Sequence, residues 1–198
     1  MDQTDATVNV DRETAPMRSV AHARIRSVSP AANVLGSLRL PGDKSISHRY
    51  AMLAGLAEGT SRLSNFSSGA DPHSTLDCIQ QLGARVQHQQ DDAVAITGCA
   101  GAFQRPPEPL DCGNSGSTMR MLAGLLAAQP FSCTLIGDES LSRRPMERIR
   151  APLAAMGAEI SLTEGHAPVN IHGRALHGTD YQTPIASAQV KSCLLFAG

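Results

Sequence analysis

The chain has 198 residues, 41% hydrophobic and 18% charged, with a formal net charge of −1. Near-neutrality excludes a general nucleic-acid binder, which needs a cationic excess against phosphates, and the apolar content excludes a wholly disordered chain. No run approaches the roughly 18 consecutive apolar residues of a membrane span, so a soluble protein without a membrane partner is expected.

Two Tyr, four Phe and no Trp leave the core to Leu, Ile, Val, Ala and Met. Five cysteines (Cys78, Cys99, Cys112, Cys133 and Cys193) are spread along the chain without a CxxC pair. Such spacing suits neither a disulfide framework nor a zinc site, and points to small core residues in a reducing compartment. Residues 1–30 lack the apolar segment of a secretory signal, so a cytoplasmic location is expected.

In chain order, residues 1–23 are polar and aperiodic, and read as a mobile arm. Ala23 to Val28 and Val34 to Leu40 alternate as short strands. Pro41-Gly42 makes a turn, and a helix pattern follows from Ser45 to Ala57. Asp71-Pro72 opens a second helix, Asp as N-cap and Pro at the first position, ending at Gly83. Val86 to His88 and Ala93 to Ile96 read as paired strands. The order then returns: a helix from Ser117 to Ala128, a strand at Thr134 to Ile136, and a helix opened by Pro145 and ending at Met156-Gly157. Strands at Ile160 to Leu162 and Val169 to Ile171 complete this second copy.

Leu82-Gly83-Ala84-Arg85-Val86 has its counterpart in Met156-Gly157-Ala158-Glu159-Ile160, 74 positions on. A third helix-opening loop lies at Ile185 to Gln189. Self-similarity at this interval marks a repeated supersecondary unit, here strand, helix, strand, helix and two strands. The third copy breaks off inside an apolar helix, so the chain is expected to be part of something longer.

Four loops could carry chemistry. Pro41-Gly42-Asp43-Lys44-Ser45-Ile46-Ser47-His48-Arg49 delivers the chain to a helix start, where free N–H groups and the dipole favour an anion. Arg49 rises on the same face as Ser45, four residues on. Asp43 stands where a P-loop needs glycine, so this is not a nucleotide loop. Asp111 to Arg120 repeats the design, with Gly116 open to close approach and Arg120 one turn later. Ser142-Arg143-Arg144-Pro145 holds Arg144 off the helix. Ser187-Ala188-Gln189 adds a hydroxyl and an amide. Each loop alone reads equally as a solvated helix start; their recurrence points to a shared anionic ligand. The histidines, His48 included, lack metal spacing and are assigned to surfaces. Asp71, Asp77 and Asp138 are possible bases, with Asp71 better explained as a cap.

PGDKSISHR, GNSGSTMR, SRRPM and PIASAQVKS, in this order, resemble the 5-enolpyruvylshikimate-3-phosphate synthases, or 3-phosphoshikimate 1-carboxyvinyltransferases. The likeness runs from about Ile25 to Gly198. It implies an α/β fold of repeated βαβαββ units, the inside-out α/β barrel of the enolpyruvyl transferases, incomplete in its third unit. Residues 24–41 would then be strands of a second, incomplete domain, and 42–198 the repeat domain. The implied reaction moves the enolpyruvyl group of phosphoenolpyruvate to the 5-hydroxyl of shikimate 3-phosphate, a step towards chorismate and the aromatic amino acids. It needs no metal or organic cofactor and suits a monomer.

The resemblance further implies that Lys44 contacts both substrates. Ser45, Arg49, Ser187, Ala188 and Gln189 would meet shikimate 3-phosphate. Gly116, Arg144 and Gln189 would meet phosphoenolpyruvate, and Asn114 and Arg120 would line the pocket. Where many members have a second serine this chain has Ala188, so any contact there comes from main chain. The acid and base groups are implied in a further half, so this chain alone is expected to be inactive. Two alternatives stay open: a non-catalytic anion-binding fragment, and the sister transferase acting on UDP-N-acetylglucosamine, whose first loop resembles SGAKN instead.

Overall fold

The computed structural model describes residues 29, 30, 33 and 35–198. The expected arm over 1–23 and the expected strand Ala23 to Val28 lie outside them. The backbone divides into Met1–Leu38 and Arg39–Gly198. Every helix and strand among the described residues belongs to the second unit. Residues 35–40, expected as a strand, have no ladder pairing, and Leu35, Leu38 and Leu40 are exposed. Alternation is not sufficient for a strand: a neighbouring edge must supply the hydrogen bonds.

Three helices begin alike. In α1 (Lys44–Leu56) the carboxylate of Asp43 accepts from Ile46 N. In α3 (Gly116–Ala127) Ser115 Oγ accepts from Thr118 N. In α6 (Ala188–Ala197) Ser187 Oγ accepts from Val190 N. Capping residues of this type satisfy one of the orphan donors at each helix start. They stand at 43, 115 and 187, an interval of 72 residues each time.

Between α1 and α3 come β1 (Thr60–Leu63), α2 (Ala70–Gln81), β2 (Arg85–His88), β3 (Val94–Thr97) and β4 (Leu110–Asp111). β3 is the middle strand of an antiparallel sheet in the order β1-β3-β2. Its continuous apolar run Val94-Ala95-Ile96 is buried, as a central strand requires. After α3 follow β5 (Ser132–Ile136), the single turn α4 (Glu139–Ser142), α5 (Glu147–Ala155), β6 (Glu159–Thr163) and β7 (His166–His172). They form a second sheet, β4-β5-β7-β6, antiparallel except for β4 and β5. A parallel pair needs a crossover, and α3 supplies it.

The helix ends are also repeated. Gly83 has φ +104° and Gly157 φ +91°. At the first, Ala84 N donates to Ile79 O and Gly83 N to Gln80 O; at the second, Ala158 N donates to Leu153 O and Gly157 N to Ala154 O. Both are Schellman stops, the physical content of the repeated Gly-Ala signature.

Two helix boundaries differ from expectation, and one helix carries an internal proline. Gly69, not Asp71, is the N-cap of α2, which places Asp71 inside the first turn with its carboxylate free to look elsewhere. Pro145 does not open α5, which starts at Glu147 after the capping position Met146. Pro152 lies inside α5, buried, although proline removes one hydrogen bond of the helix ladder.

Helix α3 runs through the core of the second unit, with ten of its twelve residues buried. A helix apolar on all sides belongs in a core. Its Gly124 lets α6 approach closely: a Cβ there would stand 2.0 Å from Cys193 O. Around it, Met52, Leu76, Ile79, Leu122, Leu126, Leu135, Leu153 and Val169 join one continuous apolar cluster.

Candidate functional site

The site is built on the starts of α1, α2, α3 and α6. Capping of α3 by Ser115 leaves the Gly116 and Ser117 N–H groups without an acceptor among the described residues. Two guanidinium groups crowd this helix start. A Cβ built on Gly116 would lie 2.7 Å from Arg120 Nη1 and 3.4 Å from Arg144 Nη1. Glycine here keeps open a point that two cations and a helix dipole share.

Neutral groups hold those cations. Arg120 Nη1 donates to Gln189 Oε1 at 2.9 Å and Nη2 to Pro145 O at 3.0 Å. Gln189 Nε2 in turn donates to Ser117 Oγ, so the amide bridges α3 and α6. Arg144 Nη2 donates to Asn114 Oδ1, and Asn114 Nδ2 to Asp138 Oδ2 at 2.7 Å. Arg49 Nε donates to Ser192 Oγ at 2.9 Å and Nη1 to Ser45 O at 2.8 Å. None of Arg49, Arg120 and Arg144 is salt-bridged to a carboxylate among the described residues. Burial, then the charges of Arg144 and Arg148, lower the Arg120 pKa. Unfavourable crowding of like charge in a partly buried place is what an anion would relieve.

Lys44 is the exception. Its Nζ meets Asp71 Oδ2 at 2.9 Å, an ion pair between the starts of α1 and α2. Lys44 is 56% exposed and Asp71 29%, so water screens the pair and its stabilising effect is small. Its consequence is positional: the ammonium is held over the α2 start. Asp71 also lends its carbonyl oxygen to Thr118 Oγ1 of α3, at 3.4 Å.

The residues named from the sequence therefore gather, with two departures. Ser45 and Ala188 are exposed and make no side-chain hydrogen bond among the described residues. Ser187 is engaged as the α6 cap. Ser192 has no counterpart in the sequence reading, and Asp71 and Asp138, possible bases there, take other places. Asp71 was assigned to capping, but Gly69 takes that place. Ser192 anchors Arg49, and Asp138 caps α4 while holding Asn114. The Asn114 hydrogen bond holds the Asp138 carboxyl below its usual range, with help from the Leu141 amide.

His48 overturns its surface assignment: it is fully buried. Its Nδ1 lies 2.7 Å from Thr75 Oγ1, and its Nε2 has no partner among the described residues. Helical rotation turns His48 inward with Ser47, Ala51 and Met52, while Arg49 turns towards α6.

Comparison with known proteins decides the family. The family model for EPSP synthase (3-phosphoshikimate 1-carboxyvinyltransferase) matches residues 28–198. The chain belongs to the EPSP synthase family. A 3-phosphoshikimate 1-carboxyvinyltransferase of Koribacter versatilis is 61% identical over 171 residues, which cover 86% of this chain and 40% of that protein. One of Solibacter usitatus is 54% identical over 174 residues, 87% of this chain and 41% of that protein. An EPSP synthase structure from Acinetobacter baumannii superposes with a TM-score of 0.79 at 45% identity, over 82% of this chain and 38% of its own. The EPSP synthase fold expected from the motifs is thus observed, and the chain spans about 40% of the length of these curated relatives. No helix among the described residues is long and apolar enough to cross a membrane.

Proposed function

We propose that this chain supplies the anion-receiving part of an enzyme that transfers the enolpyruvyl group of phosphoenolpyruvate to the 5-hydroxyl of shikimate 3-phosphate, releasing phosphate. The observation that carries the reading is the pair of guanidiniums, Arg120 and Arg144, converging over Gly116 with neither salt-bridged to a carboxylate among the described residues. Both substrates carry a phosphate and a carboxylate, and both must be held side by side despite their repulsion.

In this reading Lys44, Ser45, Arg49, Ser187, Ala188 and Gln189 receive shikimate 3-phosphate. Lys44, Gly116, Arg144 and Gln189 receive phosphoenolpyruvate, and Asn114 and Arg120 line the pocket between them. The α3 start offers main-chain N–H groups to an anionic oxygen, as helix starts do elsewhere. The Arg120–Gln189–Ser117 bridge keeps α3 and α6 at a fixed distance, so the two ligands meet in an aligned pair. Preorganised cations also stabilise charge that develops as phosphate leaves. Protonation and deprotonation of the enol carbon belong to groups beyond this site. The free thiols of all five cysteines suit a reducing cytoplasm.

Joined to the remaining length found in its relatives, the chain should release phosphate from phosphoenolpyruvate only when shikimate 3-phosphate is present. Lys44→Ala or Arg144→Ala should remove roughly 2–4 kcal/mol of transition-state stabilisation, a loss of about 30- to 1,000-fold in kcat/KM, with the fold intact by circular dichroism. Wild-type kcat/KM in either variant removes the site. Turnover of UDP-N-acetylglucosamine instead selects the sister reaction, and anion binding without turnover selects a binding module.

A further inference from the structure

A chain of buried polar side chains runs beneath the site, through the junction of α1, α2 and α3. It begins at His48 on α1, passes Thr75 on α2 and Thr118 on α3, and ends at Ser115, the residue before Gly116. The links are short: His48 Nδ1 to Thr75 Oγ1 2.7 Å, Thr75 Oγ1 to Thr118 Oγ1 2.8 Å, and Thr118 Oγ1 to Ser115 Oγ 2.8 Å. His48, Thr75, Thr118 and Ser115 are all fully buried.

The Thr75–Thr118 contact by itself admits either donor; the protons along the chain are fixed by taking Thr118 as the donor in its other two contacts, the direction in which those contacts are aligned. Each hydroxyl has a single proton to donate. Thr118 spends its own on Ser115 Oγ or on Asp71 O, and either choice leaves it an acceptor towards Thr75. Thr75 must then donate to Thr118, which leaves Thr75 an acceptor towards His48. His48 therefore donates from Nδ1–H. A neutral ring in this tautomer has a bare Nε2, and Nε2 is the one buried side-chain nitrogen or oxygen without a partner among the described residues. A second proton there would place an unpaired charge in the interior. Burial also lowers the ring's pKa to about 4.

The position of the chain suggests what it does. Apolar packing lets helices slide and rotate by small amounts, whereas directional hydrogen bonds fix both. The His48 end lies one residue from Arg49 and four from Lys44. The other end is the cap of α3, directly before Gly116. Midway, Thr118 touches the backbone of Asp71, whose carboxylate holds Lys44.

We propose that the His48–Thr75–Thr118–Ser115 chain is a positioning device that keeps the α1 and α3 halves of the site in register, with His48 its terminal donor through Nδ1–H. His48 is a positioning residue and touches no substrate. Its consequence for turnover rests on the enolpyruvyl-transfer reading, but its test requires no substrate. Failure of the chain to bind shikimate 3-phosphate would count against that reading alone.

Long-range proton–nitrogen correlation on the nitrogen-labelled chain reads the tautomer directly. A neutral ring with its proton on Nδ1 is expected at neutral pH. A proton on Nε2, or a charged ring, overturns the proposal without any variant. Register is read from the Gly116 and Lys44 amides. Asparagine can place its amide nitrogen where Nδ1 stands, whereas glutamine reaches only towards Nε2. His48→Asn should keep the wild-type amide positions. His48→Gln and Thr118→Val should shift both amides and speed exchange of the Met119 amide, which donates to Ser115 O, by about tenfold, through local opening. Ile96→Val, a core truncation away from the chain, should leave both amides in place. If Asn behaves like Gln, or if Ile96→Val reproduces the shifts, the chain is only part of the core.

Discussion

His48 is the residue whose environment most differs from its sequence context. Beside Arg49 in a polar motif it reads as a surface group, yet one helical step of rotation carries it into the junction of three helices. Burial lowers its pKa from 6.5 to about 4; the Asp71 carboxylate opposes that shift, and the Lys44 and Arg49 charges add to it. The unfolded chain accepts a proton below pH 6.5 that the folded chain refuses until about 4. Stability is therefore complete above 6.5 and falls as the pH drops through this window, by roughly 3 kcal/mol for the full shift. His48→Asn removes the titration and keeps the donor, so urea denaturation should show a flatter acid limb than wild type. Identical limbs in the two proteins would contradict the buried neutral ring. Lys44, Arg49, Gly116, Arg120, Arg144 and Gln189 were singled out through the recurrence of their loops and the family resemblance, since each loop alone reads equally as a solvated helix start. Asp71 was not, since Asp-Pro is equally the signature of a cap; only the position of Gly69 shows that the carboxylate is spare.

At the scale of elements, the longer helices and the strands β2, β3, β5, β6 and β7 were legible, and β1, β4 and the single turn α4 were not. Caps and Schellman glycines are local chemistry, and the expected bounds of α1, α2, α3 and α5 lie within about two residues of those observed, with α6 starting inside its expected loop. β1 is four residues with a half-exposed alternation, and it exists because β3 offers an edge, with Thr60 and Thr97 bonded through their hydroxyls. The converse holds for residues 35–40, where alternation found no edge. Two glycines separate stability from function. Gly157→Ala places a side chain at positive φ, a cost of about 1–2 kcal/mol, far from the anion site. Gly124→Ala drives a methyl against Cys193 O, a cost of about 1–3 kcal/mol, and pushes away α6, which carries Gln189. Thermal unfolding should drop in both variants. Affinity for shikimate 3-phosphate should fall in Gly124→Ala alone. Equal affinities would separate the α3–α6 contact from the site.

For the molecule as a whole, a net charge of −1 conceals a strong local asymmetry. Arg120, Arg144 and Arg148 lie close enough to repel and none is salt-bridged among the described residues, whereas Arg143, Arg150 and Arg174 pair with Glu139, Glu147 and Glu159. The recurrence of helix starts at 43, 115 and 187 explains how distant segments of sequence come to face one point. That convergence could be guessed from the repeat, but not the hydrogen bonds of Arg49 with Ser192 and of Gln189 with Arg120 and Ser117, because these join residues from different repeats. Titration calorimetry of shikimate 3-phosphate into the wild-type chain and into Arg49→Ala tests this convergence most directly. Saturable one-to-one binding is expected, weakened about 10- to 100-fold in the variant, the range for one charged hydrogen-bonding group. Equal affinity in the two, or no binding to the folded wild-type chain, would contradict it.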